Sequence, residues 1–159
     1  LKALLELDCA SIFLKHNRIL LLKKLFGEKE IFVSNFVASE LKNCFGRNSA
    51  KILSSIKSVE LSSGELKELK KLRKKFPEIL EAELSCFVAC RKRHFLLISN
   101  DHLLNELCNK EKVRFLDLEE LLRAFLIKKI LNQSQLYSLI KELEHNEGLI
   151  IHSKQELLS

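Results

Sequence analysis

The chain is poor in the residues that punctuate a backbone. Across 159 residues there are four glycines and one proline. An all-β fold built on tight turns uses far more of both, so that class is excluded. Methionine and tryptophan are absent, and the initiator is expected to be removed or omitted. No stretch of about 18 consecutive uncharged apolar residues occurs, so no transmembrane helix is expected. The apolar run from Ala3 to Leu7 is interrupted by Glu6 and is too short for a signal peptide. The expected location is the cytoplasm, with no membrane partner.

Several chemical signatures are missing as well. The five cysteines (Cys9, Cys44, Cys86, Cys90 and Cys108) are odd in number and form no CxxC pair. They read as small hydrophobes in a reducing compartment. The five histidines are scattered singly, with no HxxxH or HExxH, so zinc is not expected. There is no GxGxxG and no GxxxxGK[ST]. No Ser-His-Asp or Cys-His arrangement stands out. A phosphotransfer aspartate needs a second acid close by, and Asp8 has only Glu6, which reads as part of the first strand.

What is present is a balance of 47% hydrophobic and 30% charged residues, enough for one domain spanning 1–159 with a substantial core. The net charge of +6 is compatible with a nucleic-acid partner. The cations concentrate in two places. One is Lys67, Lys70, Lys71, Arg73, Lys74 and Lys75; the other is Arg91, Lys92, Arg93 and His94. Such runs are most often solvated helix faces, and either is a candidate for contacting substrate.

Strand-like and helix-like segments alternate. Ala3–Leu7 reads as a first strand, followed by a helical stretch to Phe26 that Gly27 closes. Glu30–Val33 reads as a second strand. Ser34 is the expected N-cap of a helix to about Cys44. A short helix and a third strand near Val59–Leu61 follow. Ser62–Glu65 opens a charged helix to about Lys75. Pro77 is expected at the first position of the next helix, about Glu78 to Arg91. Phe95–Ile98 is the clearest buried strand, followed by a helix to about Cys108. Val113–Leu116 reads as a last strand, with Asp117 capping a helix to Lys128. Ser134 is the expected cap of a helix in a C-terminal tail of about 130–159, with Leu136, Leu139, Ile140 and Leu143 as its apolar stripe. The pattern predicts an α/β fold: three layers, α/β/α, around a mainly parallel sheet, with a helical tail in the same domain.

Four acids sit where such a fold brings distant residues together, at strand ends or on adjacent helices: Asp8, Glu40, Glu83 and Asp101. Each has a plain alternative. Asp8 and Asp101 are placed to cap helices, with Asn100 able to take the second role. Glu40 alone is an ordinary solvated glutamate. Glu83 stands among Leu84, Cys86 and Phe87, where an unpaired carboxylate is costly. Carboxylates pushed together repel, and cations relieve them. Hard oxygen ligands favour Mg²⁺ or Mn²⁺. Two such ions about 3.5–4 Å apart can activate water and stabilise the leaving oxygen of a phosphodiester.

In the order and context of its motifs the chain resembles the PIN-domain nucleases. Leu7-Asp8-Cys9-Ala10-Ser11-Ile12 is similar to the family's D-x-S-x-L opening, with the serine one position late. Ile31 to Leu41 is similar to the element that supplies the second acid, here Glu40. Glu83-Leu84-Ser85-Cys86-Phe87-Val88-Ala89 resembles E-x-S-x-x-x-A, which supplies the third; Glu81 is the rival for that place. Leu97-Ile98-Ser99-Asn100-Asp101 is similar to L-x-T-x-D. The tail, with Gly148-Leu149-Ile150-Ile151-His152-Ser153, resembles that of a prokaryotic subfamily near the VapC toxins. The resemblance implies a Mg²⁺- or Mn²⁺-dependent ribonuclease that leaves a 3′-hydroxyl and a 5′-phosphate. Asp8, Glu40, Glu83 and Asp101 would be its catalytic metal ligands. Ser11 and Asn100 would orient them from behind, and Lys15 and Lys42 are candidate phosphate contacts. It also implies RNA as substrate, an antitoxin protein that covers the cleft, and a homodimer. The alternative is a non-catalytic PIN scaffold that binds RNA or protein.

Overall fold

β1 (Ala3–Leu5) is an apolar triplet buried on both faces, as a central strand of a parallel sheet must be. In the computed structural model, which describes Leu1–Ser159, it pairs on one side with β2 (Ile31–Ser34) and on the other with β4 (Leu96–Ile98). β3 (Lys57–Val59) extends the sheet beyond β2, and β5 (Phe115–Leu116) beyond β4. The order is β3-β2-β1-β4-β5 and every pairing is parallel. Helices flank this sheet, giving the three-layer α/β/α fold expected.

The helices are α1 (Leu7–Lys15), α2 (Ile19–Phe26), α3 (Asn35–Phe45), α4 (Ser49–Leu53), α5 (Ser63–Lys75), α6 (Glu81–Arg93), α7 (His102–Glu111), α8 (Leu118–Ile127), α9 (Gln133–Glu147) and α10 (Lys154–Leu158). None is long and apolar enough to cross a membrane. α6 is the central one. It packs on β1, β2 and β4 and against α3, α5 and α7. Its residues Ala82 to Cys90 are all buried, as befits a helix enclosed on every side. The apolar stripe of α9 joins the same 41-residue core as the sheet.

Several boundaries differ from the sequence expectation. β1 stops at Leu5, and Glu6 is the N-cap of α1, its carboxylate accepting from the amides of Asp8 and Cys9. The helical stretch to Phe26 is two helices, because Asn17 adopts a left-handed φ of 54°, which Asn tolerates better than most residues. The break is pinned from outside: His16 and Arg18 reach Glu147 and Glu142 of α9. The third strand lies two residues earlier, at Lys57–Val59. Pro77 sits in a turn closed by Ile79 N–H donating to Phe76 O (3.1 Å), and α6 begins only after Leu80. Asn132, not Ser134, caps α9 through a capping box with Gln135.

α5 and α6 are joined by a buried ion pair. Glu65 closes the capping box of Ser62 and also accepts from Arg93 Nε and Nη2, at 3.1 and 2.7 Å. Glu65 is only 4% exposed. Arg93 holds its carboxyl below the ordinary range, against the opposing effect of burial. Arg93→Met is expected to cost about 2–4 kcal/mol, because it strands a buried charge. Urea denaturation at pH 7 measures this, and a loss below 1 kcal/mol, the size of an exposed pair, would show that the pair is solvated.

Candidate active site

The crossover from β1 leads to β2 on one side and that from β4 to β5 on the other, so the strand order switches between β1 and β4. Open α/β sheets bind ligands in the crevice beyond the carboxyl ends of such strands. Here that crevice collects acids. Glu6 follows β1 directly, Asp8 stands in the first turn of α1, and Asp101 follows β4. Glu83 enters from the first turn of α6.

Local hydrogen bonds fix each approach. The Oε2 and Oε1 of Glu6 accept from the amides of Asp8 and Cys9, at 3.0 and 2.7 Å. Oδ1 of Asp101 accepts from Leu104 N–H at 2.7 Å, so Asp101 does cap α7. The Asp101 amide donates to Ser99 Oγ (3.1 Å), and Asn105 Nδ2 donates to Ser99 O (2.9 Å). On the other side, Ser34 at the end of β2 faces Ser85 of α6, hydroxyl to hydroxyl, at 2.8 Å. Ser85 donates to Ala82 O, which leaves Ser34 as the donor to Ser85. Ser34 also accepts from Val37 N–H. One hydroxyl pair thus ties the start of α3 to the first turn of α6, which carries Glu83.

The electrostatics show that these acids act on one another. Burial pushes Glu83 up to about 9, and the negative charges of Glu6, Asp101 and Asp8 add to it. Glu83 is 3% exposed, and its Oε2 has no hydrogen-bond partner. Glu6 is also raised, by burial above all, against the hydrogen bonds that favour its ionised form. Asp8 is raised by partial burial and then by Asp101 and Glu147. A carboxyl oxygen buried, unpartnered and facing three other acids is the donor that a hard cation would use. No three Asp, Glu, His or Cys side chains stand close enough to ligate one ion as they are. The acids form an electrostatic cluster rather than a finished coordination sphere.

The structure separates the rival acids of α6. Glu83 turns into the cluster, whereas Glu81 is partly exposed and pairs with Arg73 at 2.6 Å. Glu40 is exposed on α3 and is not among the charges acting on Asp8 or Glu83. Ser11 and Asn100 line a groove of about 240 Å³ with Asp8, Ile12, Glu147 and Leu149. Glu147 belongs to α9 and is held by Lys15 and His16, at 3.0 and 2.7 Å. These contacts hold it ionised against the effect of burial. A larger cavity, about 470 Å³, is lined by Arg91, His94, Lys112 and Arg114 at the other ends of α6 and α7. Arg91 and Lys112 sit at helix C-termini, where they offset the negative end of the dipole.

Sequence reasoning passed over Glu6 and Glu147. Glu6 was hidden by the leucines on either side, which read as one continuous strand. Its signal is an acid that ends an apolar run three residues before a buried helical position, Cys9. Glu147 has no local signal, since only the packing of the tail brings it to Asp8.

No family model and no curated protein matches the chain. Among solved structures the fold is similar to one titled the crystal structure of PAE2754 from Pyrobaculum aerophilum. The match has a TM-score of 0.56 at 18% identity and covers 78% of this chain and 96% of that one. At that identity the likeness speaks for the fold alone.

Proposed function

We propose that the protein is a Mg²⁺- or Mn²⁺-dependent ribonuclease of the PIN type, whose ion is held by Glu6, Asp8, Glu83 and Asp101. The observation that carries this reading is Glu83: a buried carboxyl, one oxygen of it without a hydrogen-bond partner, among three other acids at the sheet's switch point. A bound divalent ion would polarise the phosphodiester and the attacking water. The chain's own residues supply the rest. Glu6 and Asp101 are fixed by backbone amides, and Asp8 opens onto the groove where Ser11 and Asn100 can meet a substrate oxygen or a water. Glu40 stands outside this set. An antitoxin partner and a homodimer belong to the proposal through the VapC resemblance.

Binding itself is testable without turnover. A cation that takes over Glu83 must displace its proton. Calorimetry with Mn²⁺ at pH 7, in two buffers of different ionisation enthalpy, is expected to show release of about one proton per site. The absence of three acids already at ligating distance favours a second reading, the non-catalytic scaffold that binds RNA or protein. Millimolar Mn²⁺ that gives neither heat nor proton release would select that reading.

A further inference from the structure

The two basic clusters of the sequence have different fates in the fold. In α6, Arg91 pairs with Glu68 and lies near Glu111, Lys92 approaches Glu68, and Arg93 holds Glu65. That cluster is spent on joining helices. The same pairs draw both acids of α5, Glu65 and Glu68, inward against α6. What α5 leaves outside is Lys67, Lys70, Lys71, Lys74 and Lys75, all exposed and none in an ion pair. Lys75 lies 5.4 Å from the Phe76 ring, a contact that keeps its charge.

The spacing i, i+3, i+4, i+7, i+8 puts all five on one face of the helix. They cover about 12 Å of its length, at 1.5 Å per residue. Ordinary solvated faces interleave both signs; this one has lost its negative members to the interior. α5 packs on α6, and Arg73 in its last turn pairs with Glu81 in the first turn of α6. Glu83 stands in that same turn, so the C-terminal end of α5, with Lys74 and Lys75, lies at the end of α6 that carries the acids.

We infer that the lysine face of α5 is a polyanion track that holds the phosphodiester backbone of single-stranded RNA and leads it to the acid crevice. A helix face matches a flexible backbone without reading bases, so the track gives affinity and direction rather than sequence choice. The inference rests on the ribonuclease reading only for where the track leads.

The test is anisotropy with a fluorescein-labelled single-stranded RNA of about a dozen nucleotides, in EDTA, across a salt series. The variant Lys71→Gln/Lys74→Gln/Lys75→Gln changes exposed side chains only, and its melting curve verifies the fold. A charge-matched control, Lys24→Gln/Lys29→Gln/Lys110→Gln, removes exposed lysines elsewhere. The track variant is expected to bind at least about a hundredfold more weakly at about 50 mM salt, and its log–log salt slope to fall by about 2. Between 50 and 200 mM salt the wild type should therefore lose about fifteenfold more affinity than the variant. The control should stay within about twofold of wild type. Equal weakening of both variants would overturn the inference, as would track-dependent binding to phosphatidylserine vesicles with RNA binding unchanged. Lost binding in a protein that never cleaves would keep the track and sink the ribonuclease. Unchanged binding in the track variant, with metal-dependent cleavage by the wild type, would do the reverse.

Discussion

Asp101→Asn and Asp8→Asn are each expected to lower Mn²⁺-dependent cleavage of single-stranded RNA by roughly 10²- to 10³-fold, the scale of losing one preorganised electrostatic contact in an active site. Asn is chosen because it spares the fold. Asp101 holds α7 through one oxygen, accepting from Leu104 N–H, and an Asn oxygen caps a helix as well as Asp does. Asp8 caps nothing; its neighbour Glu6 does that work. What each substitution removes is negative charge facing Glu83 and the groove. Glu81→Gln is the internal control. Glu81 faces Arg73 rather than the cluster, so its loss should leave the metal-dependent step close to wild type. Gel assays on purified variants with matched melting curves decide the matter. Full cleavage by both Asn variants would remove the acid cluster from the chemistry.

The second large effect is on stability, and it needs no substrate. Glu83 is raised from its ordinary 4.5 to about 9. A carboxyl with a raised folded pKa contributes its full stability below about pH 4.5 and loses it as the pH climbs through the folded value. Each unit of pH in that window costs about 1.4 kcal/mol, so the metal-free protein should lose on the order of 2–3 kcal/mol between pH 5 and pH 7 through this group. Glu83→Gln keeps the shape and removes the ionisation. Denaturation in EDTA from pH 5 to pH 9 should show the wild type falling more steeply than the variant, in which Glu6 and Asp8 still titrate from raised values, with the variant the more stable at pH 8. Mn²⁺ should restore the wild type and leave the variant nearly unmoved. Glu65 works in the other sense: its depressed pKa gives stability that is present above 4.5 and lost in acid. Glu65 is common to both proteins, so the difference between them reports the Glu83 carboxyl together with its effect on Glu6. Parallel curves would show that the Glu83 carboxylate is paired or solvated.

Much of the scaffold was legible because its signals are local. The caps at Ser34 and Asp117, the helix opening at Ser62 and the closing glycine Gly27 all lie within a turn of the feature they set. The apolar runs at Ala3–Leu5 and Leu96–Ile98 are short and uninterrupted, which marks strands covered on both faces. Boundaries failed where a tertiary partner moved them. The α1–α2 break is held by α9, more than a hundred residues away. The end of β1 is set by a glutamate that the apolar pattern had absorbed.

The sequence by itself determined that this chain alternates strand and helix around a parallel sheet, and that its acids fall near the carboxyl ends of strands. Periodicity and capping suffice for that, because both act over a few residues. Only the tertiary structure decided which acids meet and which cations stay free. Glu83 and Glu81 are two residues apart on one helix, yet one faces a buried cluster and the other an arginine. Lys71 and Arg93 are both basic residues on helices, yet one is bare and the other is clamped to Glu65. The reason is physical: a charge is defined by what stands opposite it across an interface, and that partner comes from packing between segments distant in the chain.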